Sequence, residues 1–387
     1  MHIVYAQDNA PISYNKSIFL AGPSPRVKGD PSWRPEALRL LEEAGYDGVV
    51  FVPDPREWQG KSAVTFYNNQ ISWEDACLNM ADCILFWVDR ELEKMPGFTT
   101  NVEFGRWENS GKVVFGAPEN APHTSYLFHY AKSLYVPTAN TLKGTIDLAI
   151  TKLDKGEHRI GGEREVQLHI WKTLNFQDWY NNVKNAGNRL DGAKLVWNFT
   201  TKKGKFVYVW ALLVNVFITK ENRSKMHEIV ISRRDIACAL LYYPNEILSE
   251  TEIVLVREFR SAVNNPSGFI WDLPSGSDYD QTKNILDVVT SECKDETGLS
   301  ITFDRFQYHE ARQLTATFSS FRGHLFSVAL TRQELSILQA ISAEGKPQGR
   351  VHRGECTCVE IVKLKDILAK SLVDWSTLGM ILSVVGK

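Results

Sequence analysis

Over residues 1–152, short unbroken apolar runs alternate with stretches of helical periodicity. Ser17-Ile18-Phe19-Leu20 reads as a strand that breaks at Ala21-Gly22-Pro23, and Val49-Val50-Phe51-Val52 as a second strand closed by Pro53-Asp54-Pro55. Between them the pattern predicts a helix from Trp33 to Ala44, with Ser32 as its N-cap and Gly45 as its stop. A helix around Trp73 to Met80 leads to the strand Cys83 to Val88, and another helix starts near Thr100. Lys112 to Gly116 and Leu134 to Val136 supply further strands, and a last helix covers Leu142 to Lys152. Continuous apolar strands alternating with helices predict an α/β domain, a flavodoxin- or Rossmann-like parallel sheet with helices on both faces.

The pattern then changes twice. Residues 153–190 begin with the polar, glycine-containing run Lys155 to Gly162, followed by a helical stretch from Val166 to Asn185 rich in aromatic residues. They read as a helical linker packing between domains. From Asp191 the chain turns strand-rich, at Phe206 to Ile218, His227 to Ser232, Ile236 to Tyr243, Ile253 to Phe259, Ser300 to Phe303 and Gly323 to Leu330. Helices over Lys283 to Glu296 and Thr331 to Ala340 interrupt them, so residues 191–387 form an α+β domain.

A length of 387 residues fits this two-domain division. The 44 Lys and Arg nearly balance 46 Asp and Glu, which gives no general attraction to nucleic acid or to an anionic membrane. No apolar run approaches the roughly 20 residues that span a bilayer, and the N-terminus does not have the form of a signal peptide. The six cysteines form no CxxC pair, and four of them sit in apolar or helical contexts, as buried thiols in a reducing compartment do. The expectation is a soluble cytoplasmic protein.

Chemistry concentrates first at Phe98-Thr99-Thr100-Asn101-Val102-Glu103-Phe104-Gly105, after the strand Cys83 to Val88. A helix starting near Thr100 puts Glu103 in its first turn, where the helix dipole favours a carboxylate able to attack an electrophilic carbon. The alternative is a solvated first-turn glutamate.

With the strand order in place, residues 17 to 135 resemble the nucleoside 2-deoxyribosyltransferase-like family. The resemblance rests on Phe19-Leu20-Ala21-Gly22-Pro23, on Ala81-Asp82-Cys83-Ile84-Leu85-Phe86-Trp87 and on Asn101-Val102-Glu103-Phe104-Gly105. It implies a retaining mechanism in which Glu103 attacks C1′ of a nucleoside or nucleotide, the base leaves, and a second base or water resolves the glycosyl-enzyme. Asp82 would orient the nucleophile or pass a proton to the base. The family commonly carries an aspartate six residues before the nucleophile; this chain has Gly97 there, so Glu74 or Asp75 could substitute. Gly22 and Pro23 would let backbone approach the substrate, with Asn101 from the nucleophile motif beside them. Trp33, Trp73 and Phe98 are candidate stacking residues, and Ser24, Arg26 and Arg34 candidates for a 5′-phosphate, Arg26 first among them. No cofactor is expected in this half, and relatives that complete their sites across subunits imply a homo-oligomer.

A second constellation is Ser291-Glu292-Cys293-Lys294-Asp295-Glu296-Thr297-Gly298-Leu299, reached through Trp271-Asp272-Leu273-Pro274-Ser275-Gly276. Glu292, Asp295 and Glu296 fall on one helical face, and such crowding of like charge suits Mg²⁺ or Mn²⁺ held with substrate phosphates. These residues resemble the Nudix hydrolases, and Ile253 to Arg260 resembles the strand before the box in ADP-ribose pyrophosphatase-type members. Ser291 replaces the family's arginine, and the early glutamate of its box is absent. The resemblance implies a C-terminal Nudix fold with Glu292, Asp295 and Glu296 as metal ligands.

Two functional expectations follow. In one, N-glycosidic cleavage or deoxyribosyl transfer at Glu103 is coupled to Mg-dependent hydrolysis of a nucleoside diphosphate-linked compound, with NAD and ADP-ribose uniting the halves. In the other, the degenerate Nudix domain senses a nucleotide, or scaffolds its neighbour, without hydrolysing it.

Overall fold

The computed structural model describes residues 1–25, 30–56, 64–201, 206–278, 283–348 and 356–386, with backbone alone at 64–67. The chain divides into two compact units, Met1–Ser232 and Arg233–Lys387.

The first unit is built on six strands: β1 (His2–Tyr5), β3 (Ser17–Ala21), β4 (Val49–Val52), β5 (Cys83–Trp87), β6 (Val113–Gly116) and β7 (Thr138–Ala139). A short pair, β2 (Ser13–Tyr14) and β8 (Arg159–Ile160), lies apart from them. All neighbours in the main sheet are parallel, in the order β1-β4-β3-β5-β6-β7. Alternate residues of each strand enter opposite cores. Phe19 and Ala21 of β3 pack with residues of α2 (Val64–Met80), α3 (Phe98–Trp107) and α4 (Ser125–Ser133). Ile18 and Leu20 pack with α1 (Arg34–Glu43) and α5 (Leu142–Leu153). Burial on both faces is why these strands read as continuous apolar runs.

Two local expectations shift. The strand expected at Leu134 to Val136 is instead the turn after α4, and pairing begins at Thr138. The helix carrying Glu103 starts at Phe98, because Gly97 takes a left-handed conformation (φ 61°) as its N-cap. That places Glu103 in the second turn.

Residues 153–190 do not simply bridge two domains. The short α6 (Leu168–Trp171) and α7 (Leu174–Asn185) pack on an antiparallel sheet of β9 (Arg189–Thr201), β10 (Phe206–Ile218) and β11 (Arg223–Arg233). Trp171, Phe176 and Tyr180 share a core there with Trp210, Leu212 and Val214. The boundary between compact units therefore falls at Ser232/Arg233 instead of at residue 190.

One buried ion pair ties this unit together. Arg159 donates through Nη1 to Asp82 Oδ1 at 2.7 Å and through Nη2 to Oδ2 at 2.6 Å, and both side chains are fully buried. Ser17 Oγ donates to Asp82 Oδ2 at 3.1 Å, and the Asp82 N–H donates back to Ser17 Oγ. The pair joins the amino ends of β3 and β5 to β8.

The second unit has β12 (Ile236–Tyr243), β13 (Glu252–Phe259), β14 (Phe269–Asp272), β15 (Ser275–Gly276), β16 (Gln307–Gln313), β17 (Arg322–Ala329) and β18 (Cys358–Lys363) in one mixed sheet. Only β12 and β17 pair in parallel. One core holds Val288, Val289 and Cys293 of α8 (Ile285–Thr297) and Leu338 of α9 (Arg332–Glu344). Another holds Ile367 of α10 (Leu364–Lys370) and Ile381 of α11 (Trp375–Val385). The expected strand at Ser300 to Phe303 is absent; a short 3-10 turn spans Phe303–Arg305. The molecule is thus a parallel α/β sheet flanked by helices, followed by a sheet-rich α+β region. Among the described residues no helix is long and apolar enough to cross a membrane.

Removing one partner of a buried pair leaves the other charge uncompensated, at about 3–5 kcal/mol. Arg159→Met should therefore lower stability by that order in thermal or urea unfolding, and Asp82→Leu combined with Arg159→Met should recover a large part of the loss.

Candidate active site

The chain passes from β3 to β4 on one side and then crosses to β5 on the other, so β3 and β5 flank a topological switch point. In open α/β sheets the crevice beyond the carboxyl ends of such strands is where ligands bind. A cavity of about 530 Å³ lies there. Gly22, Ser24 and Pro53 contribute from the loops after β3 and β4, and Glu74 and Asp75 from α2. Phe98, Thr99, Val102, Glu103, Arg106 and Trp107 supply the wall from α3. That spacing is one helical face.

Glu103 is partly buried in this wall, and its carboxyl is pushed up to about 7. Burial is the main cause, followed by the negative charge of Glu74; Asp75 adds to it, and Arg34 and Arg106 oppose it. The first-turn dipole expected from sequence does not act on Glu103, because the helix begins two residues earlier. Glu74 is raised as well, chiefly by burial, while a hydrogen bond from Gln70 (2.9 Å) and the charge of Arg34 hold it down. Gln70 is itself fixed by Pro53 O at 3.0 Å. Both carboxylates thus line one partly desolvated pocket, and the charge of Glu74 opposes ionisation of Glu103. Asp75 is held by Arg106 at 2.5 Å.

Arg34, only 2 % exposed, is the organising cation. Its Nε donates to Leu20 O (3.1 Å), its Nη2 to Gly22 O (2.9 Å), and its Nη1 to Ser24 Oγ (2.8 Å) and both Asp54 oxygens (3.0 and 3.1 Å). Its donors are committed to β3 and to the loops after β3 and β4, so it builds the pocket instead of receiving a phosphate. Arg26 lies outside the described residues.

The other expected site residues separate. Gly22 lines the cavity, and a Cβ there would sit 2.2 Å from Trp87 O, so glycine is required for β3 to pass β5 this closely. Pro23 is buried and is not among the residues that line the cavity; its carbonyl accepts the Trp33 indole N–H at 3.1 Å. Phe98 stands at the rim, 70 % exposed. Three expectations are corrected. Trp73 does not face the pocket: it packs on the α2–α4 side of the sheet and its indole donates to Asp8 O at 2.8 Å. Asn101 lies off the pocket face of α3, with its side-chain oxygen taken by Arg90. Asp82 is the buried partner of Arg159 at the amino end of β5, the end opposite the pocket, and cannot reach a substrate there.

Gly97 explains the missing aspartate. A Cβ at this position would come within 2.8 Å of Pro23 Cγ and would sit on a left-handed backbone. Glu74, from α2, lines the same cavity as Glu103. Arg106 escaped the sequence reading; its offset of three residues from Glu103 is the signal that could have found it.

In the second unit, Glu292 packs against Gly276, whose Cβ would fall 2.4 Å from the Glu292 carboxyl carbon. Glu296 accepts the Ser275 N–H at 2.9 Å, and burial, with Glu292 and Glu258 adding repulsion, pushes it up to about 8. Among the described residues, no three His, Cys, Asp or Glu side chains are grouped to hold a metal ion. The expected set of Glu292, Asp295 and Glu296 is therefore not gathered into a cation cage.

A pocket at the switch point of a parallel α/β sheet, with two carboxyls in its wall, is placed where such folds bind small molecules. Residues 15–121, which carry β3 to β6 and Glu103, match the family model described as nucleoside 2-deoxyribosyltransferase like. This part of the chain is accordingly a deoxyribosyltransferase-like domain, of glycosyl-transfer type. Comparison with curated proteins gives no match. The matched span stops at residue 121 and lends no support to the Nudix resemblance.

A carboxyl raised to about 7 when folded binds its proton more tightly than in the unfolded chain. Its contribution to stability is complete below the unfolded value near 4.5 and is lost as pH rises through 7. Glu103→Gln should therefore stabilise the protein by roughly 1–2 kcal/mol at pH 8. At pH 4 it should be near neutral, as read by paired thermal melts.

Proposed function

We propose that the protein cleaves or exchanges the N-glycosidic bond of a nucleoside or nucleotide through a covalent intermediate on Glu103. The observation that carries this reading is the placement of Glu103 and Glu74, both raised by burial, in one pocket at the carboxyl edge of a deoxyribosyltransferase-like domain. The two carboxyls react with one proton between them, and the charge of Glu74 favours the arrangement with that proton on Glu103. From the less populated arrangement, ionised Glu103 attacks C1′ while protonated Glu74 gives its proton to the departing base. The C1′–N bond breaks, a glycosyl ester forms on Glu103, and Glu74 is left as a carboxylate. Water or a second base then attacks C1′, loses a proton to Glu74 and frees Glu103. Retaining glycosidases divide labour between two carboxyl groups in the same way. The chemistry needs no metal, so chelation with EDTA should leave base release unchanged.

The test is product analysis by mass spectrometry with nucleosides, nucleoside monophosphates and NAD. Glu103→Gln should lower base release at least about 10³-fold, in line with loss of a covalent nucleophile. Unchanged turnover in that variant would sink the assignment. The pH–rate profile should be bell-shaped, falling on the acid side as the two carboxyls take up a second proton and on the alkaline side as they lose the one between them. Glu74→Gln should remove the alkaline limb and be partly rescued by substrates whose base leaves without protonation.

For the second unit we favour nucleotide sensing or scaffolding over hydrolysis, on the ground that Glu296 is engaged by the Ser275 N–H and raised to about 8. Mg-dependent cleavage of a diphosphate such as ADP-ribose is the competing reading. Formation of AMP from ADP-ribose with Mg²⁺ or Mn²⁺, lost in Glu292→Gln, would establish it.

A further inference from the structure

A second cavity, of about 320 Å³, lies in the first unit beside the one described. Asp75, Arg106 and Trp107 line both, so the two share a wall. The far side of the second cavity comes from Glu165 and from the β9–β11 sheet, which supplies Lys194, Asn215 and His227. None of these belongs to the span matched by the family model.

The polar groups there are unevenly committed. Arg106 gives one Nη1–H to Asp75, leaving other guanidinium N–H groups for a ligand. The Lys194 side chain makes no ion pair or hydrogen bond with another described residue. Asn215 uses its oxygen to accept the His227 N–H at 2.9 Å, which keeps its amide donors available. Of the two acids, Asp75 is neutralised by Arg106. Glu165 accepts the Ala193 N–H at 2.9 Å, and burial biases it towards its neutral form. Arg106, Lys194 and Asn215 therefore hold uncommitted N–H donors on this wall, which is what an anion with several acceptor oxygens requires. In the first pocket Arg34 is consumed by Leu20, Gly22, Ser24 and Asp54, so among the described residues Arg106, on the wall that faces both cavities, is the cation with donors to spare.

We propose that the substrate is a nucleotide, with its sugar at Glu103 and its phosphate in the second cavity against Arg106, Lys194, Asn215 and His227. This rests on the reading of the first pocket as a glycosyl-transfer site and names the substrate class for it. The added β9–β11 sheet then acts as a specificity element grafted beside a glycosyl-transfer core.

The test uses the full chain carrying Glu103→Gln, so that ligands bind without turnover. The four common ribonucleosides and deoxyribonucleosides and their 5′-monophosphates are titrated by calorimetry. For at least one base the monophosphate should bind tenfold or more tightly than its nucleoside, with an advantage that shrinks as salt is raised. Lys194→Glu should reduce that ratio to near one, and Lys194→Arg should keep most of it, with melting temperatures confirming the fold. Equal affinities, no monophosphate binding, or a ratio that survives Lys194→Glu would overturn the inference. The glycosyl-transfer reading fails on a different result, base release that persists in Glu103→Gln.

Discussion

The pocket depends on one buried guanidinium. Arg34 is taken out of water at the start of α1, where an unpaired cation would be costly, and its donors are met by Leu20, Gly22, Ser24 and Asp54. Leu20 lies in β3, and the other partners belong to the loops after β3 and β4, the loops that line the crevice. Satisfying Arg34 therefore fixes the shape of the site. The same charge lies near Glu74 and Glu103 and limits how far burial can raise either carboxyl. Glycine at position 22 completes the arrangement, because any side chain there would collide with the Trp87 carbonyl and force β3 away from β5.

Glu103 shows how a site stores free energy. A carboxylate on an exposed first turn would ionise readily, at no cost to the fold, and would be well solvated. Here the helix starts earlier and the side chain lies among Phe19, Trp107 and a second carboxylate. Ionisation is opposed by burial and by Glu74, so the group is poised near neutrality in a place where water is partly excluded. Placing such a group in the pocket lowers stability above neutral pH, the usual trade between folding and function. The acidic face of α8 obeys the same physics with a different outcome. Glu296 is raised by burial and by its neighbours, but a backbone N–H holds one of its oxygens, so the helix is welded to the Ser275-Gly276 turn.

The buried Asp82–Arg159 pair has a complementary role at the opposite edge of the sheet. It joins β3, β5 and β8, and β8 is where the chain leaves the parallel sheet for α6, α7 and the β9–β11 layer. The added layer thus starts from a rigid anchor, and its donors are presented beside α2 and α3 in the second cavity. A motif aspartate that resembles a catalytic one is here the foundation on which a further wall is built.

The apolar runs at Ile18, Val50, Ile84 and Val114 determined the parallel sheet, because a strand buried on both faces must be apolar throughout. Glu103 was legible for the same reason, as a carboxylate just beyond such a strand. Local sequence does not encode which residues from distant elements share a desolvated space. That is why Glu74 stood only as a guess, Arg106 was missed, and Arg34 looked like a ligand-binding cation. Asp82 and Asn101 misled because motif position carries no information about which end of a strand or which side of a helix faces the cavity. Trp73 misled because an indole suits a core as well as a binding pocket. The chemistry was written in residue types, but their partners, burial and proton affinities were decided only by tertiary packing, which sets the local dielectric and the distances between charges.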